Sequence, residues 1–166
     1  FVGVGAAVSV ASNRTANSAT LAGQVHAGGA VSVTSLDQAS MLSEAFGASA
    51  GVASVGVVVA TAEQTGSVAT QVGGHIDGDG LSITAAREGS VSANAVGGVA
   101  GVFAGSGAGA TANDRGTVNV TLASGTELDA GQGALTISAR SNPHAEADAV
   151  GVAVAGVLAA AAAGAS

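Results

Sequence analysis

The 166-residue sequence contains no cysteine, no lysine, no tryptophan and no tyrosine, and it has a single proline. Without cysteine, the chain can form neither a disulfide framework nor a thiolate metal site. Three phenylalanines are the only aromatic residues, so large side chains add little to any core. The chain must therefore be stabilised by something other than one bulky hydrophobic core.

Charge is scarce as well, because charged residues make up only 9% of the chain. Four arginines stand against 11 acidic residues, which gives a net charge of −7. Nucleic-acid binding needs clustered basic residues that neutralise phosphates, so this class of partner is excluded. The uncharged run at 149–165 is rich in alanine and glycine. It falls short of the roughly 20 residues of a membrane-spanning helix, and we predict no span.

A repeat of about 50 residues runs through the chain instead. The octapeptide GGAVSVTS at 28–35 returns as GDGLSITA at 78–85 and as QGALTISA at 132–139. Alignment on this motif places Val31, Leu81 and Leu135 in one column. The predicted repeats of this single domain are about 1–45, 46–95, 96–149 and 150–166.

Within each repeat the hydrophobic period is two, which is the period of a β-strand. The sequence therefore predicts an all-β fold, a parallel β-solenoid with flattened coils in which each repeat covers the apolar face of the next. The predicted inward stack is Val31, Val33, Leu81, Ile83, Leu135 and Ile137, and the predicted outward hydroxyl ladder is Ser32, Thr34, Ser82, Thr84, Thr136 and Ser138.

Glycines recur in register with this stack. Gly47, Gly97 and Gly151 form one column, which we expect at a bend of the coil. A Gly-Val pair also recurs, with its glycines at 3, 51, 101 and 156. Alignment with the segment after Gly3 predicts a strand for the final alanine run, despite the helix propensity of alanine.

The width of one coil is left open by the sequence. The segment at 7–12 resembles the segment at 30–35, an offset of 23 residues. Each repeat therefore forms either one wide coil or two short coils. We favour the wide coil, since the half-repeat similarity fades in the third copy.

The segment GGHIDGDG at 73–80 resembles a calcium-binding loop, because Asp77 and Asp79 supply hard oxygen ligands between glycines. His26 and Asp129 share the column of Asp77, but no second acidic column accompanies Asp79. A solvated turn is the simpler interpretation, and we predict no other cofactor. His26, His75 and His144 fall in different columns, and no nucleophile motif is present, so we predict that the protein is not an enzyme.

The segments VGVGAAVSVASN at 2–13 and VHAGGAVSVTS at 25–35 resemble the repeats of very large bacterial surface adhesins. These are filamentous-haemagglutinin-like and leukotoxin-type filamentous adhesins, often secreted by autotransporter routes. The resemblance spans the whole chain. It implies a right-handed β-helical stalk at the cell surface, with roles in adhesion, aggregation and biofilm matrix.

The chain starts inside one repeat and stops inside another, without a capping segment. We therefore expect either a piece of a longer chain or a unit whose ends meet other copies. The expected function is a structural stalk or fibre segment of an extracellular adhesin or matrix filament. Its expected partners are flanking repeats or other copies end to end, and a host or matrix surface. The alternative is a solenoid that binds ice or calcium-bridged surfaces through the hydroxyl ladder.

Overall fold

A computed structural model describes residues 1–166, and all of its regular elements are β-strands. The final alanine run belongs to the last strand, as predicted, because its backbone pairs with the preceding coil. No helix is present that is long and apolar enough to cross a membrane. The strands are β1 (Val2–Asn13), β2 (Ala16–His26), β3 (Val31–Gln64), β4 (Ser67–Asp77), β5 (Leu81–Asp114), β6 (Thr117–Leu122), β7 (Glu127–Asp129) and β8 (Leu135–Ala165).

All strand pairs are parallel, and they form two sheets of order β1-β3-β5-β8 and β2-β4-β6, with β7 also paired to β4. Paired residues lie 50 to 55 positions apart in the sequence. Val31 pairs with Leu81 and Leu81 pairs with Leu135, as the repeat alignment predicted. One repeat therefore forms one wide coil, and the parallel β-solenoid class is confirmed.

Each coil is flat because its chain folds back on itself. Ala45 and Val58 belong to the same strand, β3, and yet pack in the same core cluster. Further along, Thr70 donates a hydrogen bond of 2.8 Å from Oγ1 to the carbonyl oxygen of Thr84, which lies across the core. We call the two sides of a coil walls. The forward walls are 31–51, 81–101 and 135–155, and the return walls are 2–26, 53–77, 103–129 and 158–165.

The core between the walls is divided into two apolar clusters. The residues of the first are small, which allows the walls to approach closely. The second contains the larger side chains and lies at the other side of the coil. The first, called the alanine cluster, is Ala45, Val58, Ala60, Ala62, Val91, Ala93, Ala95, Ala108, Ala110 and Ala112. The second, called the aliphatic cluster, is Val72, Ile76, Leu81 and Ile83.

The predicted inward stack differs from coil to coil in its burial. Leu81 and Ile83 are each only 3% exposed. Val31 and Val33 are partly buried and pack against the same aliphatic cluster. Leu135 and Ile137 remain 48% and 45% exposed. Their exposure follows from the last return wall, which ends at Ala165 and covers only the alanine-cluster side of that coil.

The expected position of the glycine column needs correction. Gly47, Gly97 and Gly151 pair with one another as expected, but they lie inside strands and not at a bend. Gly47 faces the core, where a Cβ atom would stand 2.7 Å from Cγ2 of Val58. The interruption in the ladder follows a few residues later, around positions 52 and 102.

The four recurring Gly-Val pairs do not all share one column of the ladder. Gly51 does pair with Gly101, but Gly3 pairs with Ser54 and not with Gly51. Gly101 in turn pairs with Ala155. The sequence resemblance at these positions arises from the low complexity of the segments rather than from shared register.

Candidate functional site

Polar and apolar residues divide the outer surface of the coils into two parts. The segments 45–62, 95–112 and 149–166 carry no charged side chain, and together with 2–11, which pairs with 53–62, they form what we call the tip. All arginine, aspartate and glutamate residues lie in the remainder, called the polar half. Any recognition that needs a charged side chain must therefore use the polar half.

The predicted hydroxyl ladder lies on the outer face of the forward walls in the polar half. Ser32 pairs with Ser82, and Ser82 pairs with Thr136. The second column joins Thr34 to Thr84 and then to Ser138. Within one strand, Oγ of Ser32 lies 3.3 Å from Oγ1 of Thr34. Strand geometry places the rows about 4.8 Å apart and the two columns about 6.6 Å apart.

The ladder continues along the same face with other polar pairs. Nε2 of Gln38 donates to Oε2 of Glu88 at 3.3 Å, and Oγ of Ser40 lies 3.0 Å from Oγ of Ser90. Pairing an amide with an acid avoids like charges directly opposite each other, which destabilise a sheet. The outer forward face is thus a regular polar array that hydrogen-bonds along the stack.

The candidate calcium loop lies on the outer face of the return walls. Asp77 pairs with His26 in the ladder, and Oδ2 of Asp77 lies 3.4 Å from Nδ1 of His26. In the adjacent column, Nδ1 of His75 lies 2.9 Å from Oε2 of Glu127. The rings of His26 and His75 are 5.7 Å apart. Each carboxylate therefore has a histidine as its neighbour in the stack.

No group of three or more histidine, aspartate or glutamate side chains is arranged to hold a metal ion. Asp77 is engaged with His26 as described, whereas the carboxylate of Asp79 lies close to the backbone at Gly131. His144 is in a separate column, paired with Ser90 on the forward face. The structure brings His26 and His75 together, which the column assignment alone did not predict.

A buried ion cluster lies inside the coil and was not predicted from the sequence. Arg87 is 1% exposed, and its Nη1 atom lies 2.5 Å from Oδ1 of Asp114 on the return wall. Its Nε atom lies 3.5 Å from Oδ2 of Asp37 in the preceding coil. A side chain at Gly116 would overlap the guanidinium, so this glycine provides the space that Arg87 occupies.

The ion cluster separates the two apolar clusters. Arg87 falls between Ile83 of the aliphatic cluster and Val91 of the alanine cluster on the forward wall. Alternation could have identified it, since Leu81, Ile83 and Arg87 share one face of a strand. The buried pairs connect the two walls of one coil and two successive coils.

Taken together, the fold and its surfaces define a parallel β-solenoid with a polar ladder on one side and an uncharged tip on the other. Comparison with protein-family models, with curated proteins and with solved structures finds no match.

Proposed function

We propose that this chain is a structural stalk segment of a bacterial extracellular adhesin or biofilm-matrix filament. The observation that supports this function best is the continuous parallel register of β1, β3, β5 and β8. Because each coil pairs with the next over almost its full length, further coils of the same kind extend the stack without a change in geometry.

The stack supplies rigidity through its main chain. The structure contains 107 backbone hydrogen bonds, of which 90 lie within the strands. The strands pair in parallel, so these bonds are directed along the stack and join one coil to the next. The result is a rod suited to hold a binding element away from a surface.

The composition of the outer surface fits an extracellular fibre. The hydroxyl and amide groups of the polar half keep the rod hydrated, while the sparse charges are mostly acidic. The partners we propose are flanking repeats or other copies stacked end to end, and a host or matrix surface. The proposed location is the bacterial cell surface.

Electron microscopy of the purified chain at increasing concentration tests the rod. We expect rods that lengthen end to end. Rods of constant length would restrict the chain to a passive segment, and round particles would contradict the rod itself. The Ile83→Asp variant is the matched control, because it places a charge in the aliphatic cluster and should abolish rods of any length.

The extracellular role needs a separate test. Immunogold labelling of intact source cells, with an antibody raised against this chain, should place gold particles on the cell surface or on filaments. Labelling that appears only after permeabilisation would contradict the surface location while leaving the rod intact.

The hydroxyl ladder favours a second candidate, which is a solenoid that binds ice. Its two columns, from Ser32 to Thr136 and from Thr34 to Ser138, form a flat array of hydroxyls at regular spacing. Thermal hysteresis of the purified chain measures this activity directly. If ice is the ligand, Thr84→Lys in the middle row should abolish the hysteresis, whereas Glu63→Lys outside the ladder should not.

A further inference from the structure

The outer face of the return walls carries an exposed hydrophobic ridge at the tip. Val55, Val57 and Val59 point outward from one coil and are 55%, 50% and 37% exposed. Val4 and Val8 stack on Val55 and Val59 in the preceding coil and are 80% and 72% exposed. This ridge is two coils wide, and no part of the chain covers it.

A trough lies directly beside the ridge in the next two coils. Gly105, Gly107 and Gly109 pair with the three valines of the ridge. Ala160, Ala162 and Gly164 then continue the same columns. The trough between the ridge and these residues is open to solvent and has a volume of about 280 Å³.

Neither the backbone nor the packing requires glycine in the trough. None of the three glycines has a positive φ angle. A Cβ atom at Gly105 would have no neighbour within 4 Å, and at Gly107 its nearest neighbour would be the carbonyl oxygen of Gly56 at 4.0 Å. Glycine weakens the interior of a strand and often marks a place where another backbone approaches closely.

We propose that the return face of the tip is a pairing surface for a second copy of this chain. The two copies are related by a two-fold axis that runs parallel to the strands, between the ridge and the trough. Rotation about this axis reverses the order of the coils in the second copy and keeps the direction of its strands. Val57 of each copy then faces Gly107 of the other, and Val55 faces Gly105. The ridge and the trough lie on the same face, so the surface is complementary to itself, as a two-fold interface requires.

The charge distribution favours a second copy as the occupant. Each copy has a net charge of −7, and the charged side chains lie in the polar half. Pairing through the tip keeps these like charges apart, whereas pairing through the polar half would bring them together. In addition, the ridge and trough follow the row spacing of about 4.8 Å, which another parallel solenoid reproduces.

The area of the pairing surface limits the affinity that the dimer can reach. Three columns about 6.6 Å apart and four rows about 4.8 Å apart cover about 380 Å² on each copy. A standard stable interface buries about 800 Å² on each partner, so we expect a weak dimer.

Sedimentation equilibrium of the purified chain measures this dimer. The weight-average mass should rise from 15.2 kDa toward twice that value with increasing concentration. Gly107→Val fills the trough at a position where a Cβ atom has no neighbour closer than 4.0 Å. It should weaken the dimer at least tenfold, with an unchanged melting temperature. Val57→Asp should do the same by placing a charge on the ridge, and Thr34→Asp in the polar half is the control of equal charge that should not.

Cysteine pairing tests the arrangement itself, because the natural chain has no cysteine. The same axis brings Val4 of one copy opposite Ala160 of the other. A mixture of the Val4→Cys and Ala160→Cys variants should form a disulfide-linked heterodimer under mild oxidation, and neither variant alone should form a dimer efficiently. Equal amounts of disulfide-linked dimer in the mixture and in each single variant would overturn the proposal. The absence of a rise in mass with concentration would also overturn it. If the chain does not self-associate but sediments together with neutral lipid vesicles, the tip binds a lipid surface instead.

Lateral pairing is one form of the self-association in the proposed function, and it rests on that function only in so far as both require the solenoid. End-to-end lengthening of rods does not use the return face, so it should persist in the Gly107→Val variant. Loss of lateral pairing alone would therefore contradict the pairing surface and leave the stalk function intact. Loss of rods with intact pairing would contradict the stalk function and leave the pairing surface intact.

Discussion

Arg87 and Asp37 are ladder partners in successive coils, and Nε of Arg87 lies 3.5 Å from Oδ2 of Asp37 inside the solenoid. Asp114 completes the cluster from the opposite wall of the same coil. Burying a carboxylate is costly unless a cation accompanies it. Arg87 is the single cation between these two carboxylates, so it offsets part of their cost and leaves the cluster with a formal net charge of −1. The cluster therefore joins two successive coils and the two walls of one coil.

Removal of this arginine should therefore be strongly destabilising. We expect Arg87→Met to lower the free energy of unfolding by about 3–5 kcal/mol, because Asp37 and Asp114 are left buried without a cation. Urea denaturation followed by circular dichroism measures the change. Arg140→Met is the matched control, since Arg140 is exposed at a neighbouring ladder position and should change the stability by less than about 0.5 kcal/mol. A similar loss in both variants would contradict the compensating role of Arg87.

A charge in the aliphatic cluster should disrupt the stack. Ile83 is 3% exposed and packs with Val72, Ile76 and Leu81. We expect Ile83→Asp to abolish cooperative thermal unfolding, because it buries a carboxylate without a partner. Ser82→Asp adds the same charge on the outer face, and its melting curve should stay close to that of the natural chain. Unchanged unfolding of Ile83→Asp would contradict the register described above.

The glycine at position 47 should be required for packing, whereas Gly98 should not. A Cβ atom at Gly47 would lie 2.7 Å from Cγ2 of Val58, so Gly47→Ala overpacks the alanine cluster and should cost about 1–3 kcal/mol. Gly98 has open space around it, and Gly98→Ala should be neutral or slightly stabilising. Unfolding of Gly47→Ala, Val58→Ala and the double variant should give a coupling energy of at least about 0.5 kcal/mol. Strict additivity would show that these residues do not touch.

The hydrogen bond from Thr70 to the carbonyl oxygen of Thr84 should help to hold the two walls together. Thr70 is fully buried, and the bond is 2.8 Å long. Thr70→Val preserves the shape but leaves the carbonyl oxygen without this donor, so we expect a loss of about 1–2 kcal/mol. Thermal unfolding measures the loss, with the partly exposed Thr61→Val as the control. Equal stability of Thr70→Val and the natural chain would show that another donor replaces Thr70.

The sequence predicted the parallel coils well because two signals agreed. The alternation in 31–35 gave the strand period, and the ungapped copies at 81–85 and 135–139 gave the register. A stack of like strands leaves few other ways to pair, so the columns of the forward walls were predicted residue by residue. The polar turns near 14–15, 65–66 and 115–116 also lie where the strands are interrupted.

Other features could not be predicted from a repeat alignment. Gly3 resembles Gly51 in its surroundings, but the bend around residue 52 shifts the chain so that Gly3 pairs with Ser54. The contact of Arg87 with Asp114 joins opposite walls, whose facing residues do not share an alignment column. The pairing surface was difficult to predict for a similar reason. The ridge at Val57 and the trough at Gly107 become neighbours only when the coils are stacked.

The direction of the backbone hydrogen bonds also determines how such a rod carries tension. The 90 strand hydrogen bonds are distributed over three junctions between successive coils, which is 30 per junction on average. A force applied evenly along the stack loads all hydrogen bonds of a junction at once. Many of these bonds must therefore break together before the junction opens. A pull on a chain end instead peels one coil residue by residue. A stalk of this design should therefore resist an evenly distributed load and yield at any point where its outermost strand is pulled away alone.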